Sequence, residues 1–397
     1  MKHIALHILQ PFPPSCLNRD DVGAPKNAIF GGVTRARISS QCLKRAIREL
    51  AKNGEKDRDK KLFAGSRTLR AAETLGAELI KLNLPQKEAT ETAQAVCDAF
   101  LSKPKKGQSN QEPKSGGKKG KADEAAEPDE EAGTETSTLL YFSPGEIGAM
   151  AKAIVDARKA HKDAQHAQQA ASQAVKNFAL KDAADIAIFG RMVANDATLN
   201  IEAAGLFSHA ISTHACDNDL DFWTAVDDER PKEEPGAANM GHAEFNAACY
   251  YRYAALNLDL LFYQKTTNGR PPATLSCFAG EEYKATRHAI VEAFLRATIL
   301  AVPTAKHTGM NANLPPEYVF GVVATGQPMQ LVNAFEAPVR ANGEGWLKPS
   351  VEALKKHYER LKKTFELEPL ICKGGEVWLS EETPLNLFIS KLVAHVE

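Results

Sequence analysis

The chain has 397 residues, of which 43% are hydrophobic and 25% charged, and its formal net charge is -1. These values exclude global disorder and a uniformly basic nucleic-acid binder, and the length fits two or three domains or one core with a large insertion. The charge is uneven, because residues 1–50 hold eight Lys or Arg against three acids. A local basic patch is therefore predicted near the start of the chain.

The cysteines and the apolar segments indicate a cytoplasmic protein. The seven cysteines are scattered and form no CxxC pair, which disfavours a zinc ribbon or redox motif and is typical of reduced thiols. The first apolar stretch is interrupted at His7, Gln10 and Pro11, so it is too short for a signal peptide. No segment is long enough to span a membrane.

The first elements are a strand and a helix. Alternating apolar residues predict a half-buried strand over residues 3–10, which Pro11 should end. A helix is predicted from near Ser39 to about Lys52. The pattern over residues 62–185 is then almost wholly helical.

Residues 103–137 interrupt that helical pattern. Seven Lys lie between positions 103 and 121, and seven acids follow between 123 and 135, with Gly, Pro and Ser throughout. Such a low-complexity loop cannot bury a core. A solvated insertion, neutralised by its own acidic half, is favoured over a basic tether that touches nucleic acid.

The later elements complete a βαββαβ order. Strand patterns occur at residues 185–192, 206–215, 245–256 and 318–324, and helical patterns occur at 283–301 and, as a final helix, at 350–366. An acidic excursion at 217–244 separates two of the strands. The order is strand 3–10, helix 39–52, strand 185–192, strand 245–256, helix 283–301 and strand 318–324. It predicts an α+β fold with a ferredoxin-like or RRM arrangement and two insertions.

The most informative motif lies at residues 28–48. Gly31 and Gly32 let the main chain turn without a Cβ penalty, and Ser39 and Ser40 are N-cap candidates that bring free backbone N–H groups beside them. One helix face carries an amide and three cations, which are Gln41, Lys44, Arg45 and Arg48. This combination suits a phosphate backbone, although for an arbitrary helix a solvated face is the commoner explanation.

This motif and several later segments resemble one family. The segments are, in chain order, Leu17–Asp21, Ala28–Arg48, Ile188–Met192, Ser208–His214, Asp219–Asp228, and Phe245 with Tyr250–Ala254. They are similar to the Cas7 (CasC, Cse4) family, the backbone subunits of type I-E CRISPR Cascade. The helical middle and the C-terminal part carry little recognisable identity to it.

The resemblance implies a domain plan. An RRM-like palm would comprise residues 1–61 and 186–397, with helical fingers inserted at 62–185. A β-hairpin thumb would lie at about 217–249, within the second part of the palm.

The resemblance also implies RNA-binding residues. Family members hold CRISPR RNA phosphates with the residues that match Gln41, Lys44 and Arg45. Arg19 and Lys26 match basic positions of the preceding loop, while Arg35, Arg37 and Arg48 are weaker candidates. The full candidate set is Arg19, Lys26, Ser39, Ser40, Gln41, Lys44, Arg45, Arg48 and Met192. Met192 matches a palm position that stacks under a displaced base, and a core methionine is about equally favoured.

The thumb candidate is the run that begins at Phe222. The pattern alone favours a buried strand with one ring on each face, whereas the surrounding acids favour a protruding hairpin. The resemblance implies that Trp223, Thr224 and Val226 wedge into the guide–target duplex and displace a nucleotide at a fixed interval. The Phe222-Trp223 order departs from the Trp-Phe order of the family.

The implied function is that of a non-catalytic subunit that polymerises head-to-tail along CRISPR RNA and presents it for pairing with target DNA. The expected partners are CRISPR RNA, target DNA through the guide, other copies of the chain, and other Cascade subunits of the Cas5, Cas6, Cas8 (Cse1) and Cas11 (Cse2) types. No cofactor, metal or catalytic residue is expected.

Two alternatives belong to other classes. One is an RNA-cleaving Cas6-like or type III-like RAMP endoribonuclease that uses an acid of the thumb region (Asp219, Asp221, Asp227 or Asp228). The other is a monomeric RRM regulator. His209 and His214 lie five apart, on opposite faces of a strand, so core or hydrogen-bonding roles are favoured over metal ligation.

Overall fold

The computed structural model describes residues 1–54, 57–101, 139–160, 164–193, 196–226, 237–263 and 274–397. Their strands are β1 (Lys2–Ser15), β2 (Asn27–Phe30), β3 (Val33–Ile38), β4 (Ser66–Thr68), β5 (Leu140–Phe142), β6 (Gly205–Phe207), β7 (Ala210–Ser212), β8 (Asp219–Val226), β9 (Ala237–Asn257), β10 (Tyr318–Thr325) and β11 (Ile371–Trp378). Their α-helices are α1 (Ser40–Lys52), α2 (Asp57–Leu62), α3 (Ala71–Lys81), α4 (Gln86–Leu101), α5 (Pro144–Lys159), α6 (Ala164–Asn177), α7 (Ala184–Phe189), α8 (Lys284–Leu300), α9 (Leu347–Thr364) and α10 (Leu385–Val393). The predicted α+β class is confirmed. The predicted low-complexity loop at 103–137 lies outside the described residues.

The chain forms two compact units. The first, called the sheet unit, comprises Met1–Ala64, Ala183–Gly190 and Glu202–Glu397. The second, called the helical unit, comprises Gly65–Asp182 and Arg191–Ile201. The names palm, fingers and thumb for parts of the chain stay predictions.

The sheet unit is built on one antiparallel sheet in the order β11-β10-β1-β9-β7-β3-β2, and β6 and β8 also pair with β9. β1 is central, since it pairs with β10 on one side and β9 on the other. Residues 3–10 are buried on both faces, so the predicted half-buried strand is wrong. Pro11 does not end β1 either. Pairing with β10 stops at Leu9, while pairing with β9 continues. The prolines beyond Leu9 therefore lie where β1 has a neighbour on one side only, and their missing N–H groups cost no hydrogen bond on the open side.

Helices cover both faces of this sheet. Gly321 of β10 lies opposite Leu6 of β1, and Leu392 of α10 packs over it. α8 contacts both α10 and α1, so these three helices share the Leu6 face. α9 covers the other face, where Leu354 and Tyr358 join a buried cluster with residues of β1, β9 and β10.

Three further sequence predictions are corrected. Residues 185–192 are not a strand, because α7 occupies Ala184–Phe189 and ends at Gly190 with a φ of +80°; a short apolar run does not distinguish a buried helix from a strand. Residues 206–215 form two short strands, β6 and β7, rather than one. The helix predicted at 350–366 exists as α9 but is not final, since β11 and α10 follow it.

The helical unit packs its own core. α3, α4, α5 and α6 bury a shared cluster that includes Leu75, Leu79 and Ile154, and β4 pairs with β5 beside it. Arg191 and Glu146 form a buried ion pair with a 2.7 Å contact. The Arg191 guanidinium also donates to the carbonyls of Leu199 and Tyr141, so this buried charge is fully engaged.

Candidate nucleic-acid interface

A hairpin precedes α1, and its strands were missed by the sequence patterns. β2 and β3 are joined by Gly31 and Gly32, whose φ angles are +62° and +77°. Two consecutive positive φ angles define the tight turn that suits a two-residue hairpin. A Cβ on Gly31 would coincide with the carbonyl oxygen of Glu336, whereas one on Gly32 would meet nothing within 4 Å. A glycine is therefore favoured at position 31 by the lack of room for a side chain and by the positive φ, and at position 32 by the positive φ alone.

Arg35 of β3 is a structural residue. Its side chain is 0% exposed, and its guanidinium donates to the carbonyls of Phe30 (3.1 Å), Ser212 (3.1 Å), Phe335 (2.8 Å) and Glu336 (3.2 Å). These bonds tie the hairpin to β7 and to the segment before α9. The weaker RNA-binding candidacy of Arg35 is thus wrong, because no ligand can reach it.

α1 begins as the sequence predicts. Ser39 is the N-cap and its Oγ accepts from the Cys42 N–H (3.3 Å), while its own N–H donates to Asn18 Oδ1 (2.8 Å). Leu43 and Ile47 bury one face of the helix. Ser39 is itself buried, so its hydroxyl serves the helix first, and its role toward RNA stays a prediction.

One flank of α1 faces a groove. This groove, of about 980 Å³, lies between the loop at 17–23, α1 and the segment 300–313 that follows α8. Its Lys, Arg, Asp and Glu lining residues are Arg19, Asp20, Asp21, Arg45 and Glu49. Arg45 forms an ion pair with Glu49 at 2.8 Å. The groove holds three acids and two cations, and one of these cations is paired with one of the acids, so it is a poor match for a phosphate backbone.

The opposite flank of α1 is cationic. At 3.6 residues per turn, Lys44 and Arg48 lie away from Cys42 and Ala46, which line the groove. The Lys44 ammonium lies 5.2 Å from the ring centroid of Phe207 on β6, and burial lowers the pKa of Lys44. The structure therefore separates the predicted set, with Arg19 and Arg45 at the groove and Lys44 and Arg48 on the other flank.

Lys26, Arg37 and His209 lie at the start of α1, where this flank begins, and the charge of Lys26 also reaches Cys42 on the groove side. Arg37 N–H donates to the Lys26 carbonyl (2.8 Å) across the hairpin. Burial, and then the charges of Arg37 and Lys26, lower the pKa of His209. Gln41 is exposed on the first turn. We call Lys26, Arg37, Gln41, Lys44, Arg48 and His209 together the α1 cationic flank.

Both histidines of the Ser208–His214 segment have hydrogen-bonding roles, as predicted. The Ser40 N–H donates to His209 Nδ1 at 3.0 Å. His214 is buried, accepts from the Cys249 N–H at Nε2 (3.1 Å) and stacks on Trp346 with ring centroids 3.9 Å apart. Across the ranges that the structure covers, no three His, Cys, Asp or Glu side chains are grouped as metal ligands.

The thumb candidate is an exposed hairpin of β8 and β9. The side chains of residues 219–225 are all exposed, including Phe222 (55%) and Trp223 (47%), so the alternative of a buried strand is wrong. Trp223 lies over Gly241, directly opposite it, where a Cβ would come within 2.6 Å of the indole. Phe222 is on the other face, 5.4 Å from the His242 ring.

The remaining wedge candidates are Thr224, which does not share one face of β8 with Trp223, and Val226, which is the last residue of β8. Thr224 shares the Phe222 face rather than the Trp223 face, because neighbouring residues of a strand alternate. Val226 ends β8 opposite Ala237, after a bulge. Residues 227–236, with Asp227 and Asp228, lie outside the described residues, and Asp219 and Asp221 are exposed on β8.

Met192 belongs to the helical unit. Its side chain is 83% exposed, so the alternative of a core methionine is wrong. It directly follows Arg191, whose buried contacts fix the local backbone. Its predicted stacking role stays a prediction.

Sequence reasoning missed the segment 300–313 at the groove and the participation of His209 in capping α1. The Gly, Asn and Pro residues of 303–315 mark a loop, but no local pattern places it beside residues 17–23. None of the helices in the described ranges combines the length and the apolarity needed to cross a bilayer.

Solved structures place the fold in a class. The chain is similar over its whole length to a chain of the structure named CRISPR RNA-guided surveillance complex, pre-nicking, with 26% identity, a TM-score of 0.71 and complete coverage of both chains. A second similar chain, from a CRISPR RNA-guided surveillance complex, has 21% identity, a TM-score of 0.62 and 99% coverage of both chains. The second similarity shows the fold alone.

A family model makes the assignment specific. The model described as CT1975-like protein matches residues 4–386, so the chain belongs to the CT1975-like protein family. A comparison with curated proteins gave no significant match. The predicted resemblance to a protein of CRISPR surveillance complexes is confirmed at this level, and the type I-E subtype stays a prediction.

Proposed function

We propose that the chain is a non-catalytic, CRISPR RNA-binding backbone subunit of a type I-E surveillance complex. The observation that carries the proposal is the α1 cationic flank, which gathers cations from three separate segments at the start of one helix. The whole-length similarity to a chain of a CRISPR RNA-guided complex supports the RNA as ligand. The protein would hold the backbone of the guide and leave its bases free for pairing with target DNA.

The sheet order supports a ferredoxin-like palm. In the sheet, the four neighbouring strands are, in order, β10, β1, β9 and β7. Along the chain the order is β1, β7, β9, β10, with α1 between β1 and β7 and α8 between β9 and β10. This is the strand order 4-1-3-2 of a βαββαβ unit. We infer that the hairpin β2–β3 extends this palm beside the RNA, and that the β8–β9 hairpin is the thumb.

The RNA-binding proposal is tested by charge removal on the flank. Lys26→Ala with Lys44→Ala should weaken binding of unrelated single-stranded guides alike, and the log–log salt slope should shrink by roughly 1.4, at about 0.7 per phosphate contact. The control is Lys60→Ala with Lys61→Ala, which removes two exposed charges from α2. A loss confined to one guide sequence, or an equal loss in the control, contradicts the proposal.

The thumb proposal is tested on the assembled complex. Trp223→Ala with Val226→Ala should weaken capture of target DNA while the guide RNA content stays constant, because stacking contributes about 1–3 kcal/mol per base. A loss of guide RNA together with a lower unfolding temperature would instead make the pair ordinary hairpin packing.

Polymerisation is tested by the mass of protein bound to RNAs of increasing length, and the absence of catalysis by the integrity of the bound RNA. We expect the mass of protein bound per RNA to rise in equal steps as the RNA is lengthened, which a heterologous, non-closing contact produces. The RNA recovered after prolonged incubation with saturating protein should be intact. One protein per RNA at every length would favour the RRM regulator, and discrete RNA fragments would favour the endoribonuclease. The other Cascade subunits are expected to co-purify with the chain.

A further inference from the structure

The two ring nitrogens of His209 have different surroundings, since Nδ1 bonds to the backbone of α1 and Nε2 has no bond of this kind among the described residues. Nδ1 accepts the Ser40 N–H at 3.0 Å, which requires that Nδ1 carry no proton. A neutral imidazole with an unprotonated Nδ1 carries its proton on Nε2. The ring is exposed to solvent, so Nε2–H remains a donor on the outer side of the residue.

The sheet register fixes where that donor lies. Ile38 pairs with Ala210, and Arg37 with Ile211, across β3 and β7. His209 therefore stands directly before β7, beside the link between β3 and α1. Lys26 is hydrogen-bonded across the hairpin to Arg37 through its carbonyl, and Phe207, two residues before His209, carries the Lys44 ammonium over its ring.

We propose that His209 is a further RNA-binding residue, which donates from Nε2 to a phosphate oxygen beside the cations Lys26 and Arg37. This inference rests on the proposed function and adds a residue that is neutral in the bound state. The surrounding cations attract the phosphate, and they also disfavour a second proton on the ring, in agreement with the lowered pKa of His209. The bond from Ser40 holds the ring in the donating tautomer.

Substitutions can separate the two nitrogen positions. In His209→Asn, the amide oxygen occupies a place near Nδ1 and still accepts from Ser40, but the distal donor is lost. In His209→Gln, the longer side chain returns a donor near the position of Nε2. Binding of a fluorescent single-stranded RNA of guide length to the full chain gives the affinity, and thermal unfolding reports the Ser40 contact.

We expect His209→Asn to bind RNA about tenfold more weakly with an unchanged unfolding temperature, since a hydrogen bond to a charged group is worth about that factor. Its log–log salt slope should equal that of the wild type, because no charge is removed. His209→Gln should recover part of the affinity. The matched control His357→Asn, on the opposite face of the sheet, should bind as the wild type does.

The outcomes distinguish this inference from the proposed function. If Lys26→Ala with Lys44→Ala weakens RNA binding but His209→Asn does not, the RNA site stands and His209 only caps α1. A reduced salt slope in His209→Asn would make the residue a cation and would overturn the tautomer argument. Failure of the wild type to bind any single-stranded RNA would overturn both proposals.

Discussion

The turn between β2 and β3 allows a sharp test of the scaffold under the candidate site. Gly31→Ala and Gly32→Ala place the same methyl group at adjacent residues with similar φ angles, +62° and +77°. The left-handed conformation costs a non-glycine residue about 1–2 kcal/mol, so Gly32→Ala should lower the free energy of unfolding by about that amount. At Gly31 the methyl also overlaps the Glu336 carbonyl.

Relief of that overlap is expensive because the same backbone binds Arg35. The carbonyls of Phe335 and Glu336 accept two of the bonds from its buried guanidinium, at 2.8 and 3.2 Å. Loss of both, at about 1.5–3 kcal/mol for a hydrogen bond to a charged group, adds roughly 3 kcal/mol or more. Gly31→Ala should therefore cost at least about 4 kcal/mol in total.

Urea unfolding followed by far-ultraviolet circular dichroism measures both variants. Asparagine provides the control, since it tolerates positive φ better than alanine. Gly32→Asn should be nearly neutral, whereas Gly31→Asn should remain severe. Equal destabilisation by Gly31→Ala and Gly32→Ala would refute the reasoning, because it would leave φ as the whole cost.

Three further predictions concern single residues. Arg35→Lys should lower the free energy of unfolding by about 3 kcal/mol in urea titrations, because an ammonium cannot reproduce the planar fork that reaches four carbonyls; a change under 1 kcal/mol would contradict it. Gly241→Val should displace the Trp223 indole, 2.6 Å from the added Cβ, and so weaken target capture without a change in guide content or unfolding temperature. Burial, followed by the charge of His3, lowers the pKa of His7 to about 3. The unfolded chain, with an ordinary pKa near 6.5, binds the proton first, so stability is fully present above pH 6.5 and is lost as the pH falls. The loss between pH 6.5 and 5 should be about 2 kcal/mol, and His7→Gln should remove that part of the pH dependence.

Predictions from the sequence succeeded where an element carries a clear apolar pattern, whether it is buried on one face, as α1 is, or almost all round, as α8 and β10 are. α1, α8 and β10 carry clear patterns and lie where they were predicted. β1 was misjudged because pairing and packing on both sides bury its polar residues as well as its apolar ones. β2 and β3 are short, with four and six residues, and only the glycine pair between them signals a hairpin.

The sequence predicts which residues of the candidate site share one face of α1, but it does not predict which other segments lie beside that face. The shared position of Gln41, Lys44 and Arg48 follows from helical spacing. Which flank borders the groove depends on the loop at 17–23, which brings Asp20 and Asp21, and on the segment 300–313, which is distant in sequence and close only in the fold. No local pattern contains that information.

The positive balance of residues 1–50 therefore overstates the field that they present to a ligand. The Arg35 guanidinium is buried and donates to backbone carbonyls, and Arg45 forms an ion pair with Glu49. Lys44 lies over an aromatic ring, so its charge is held in place at the surface. Lys26 and Arg37 lie near His209 at the start of α1, and the neutral donor of His209 adds direction to their attraction. A phosphate held there would be positioned by geometry as much as by charge, as a subunit that fixes the path of a guide strand requires.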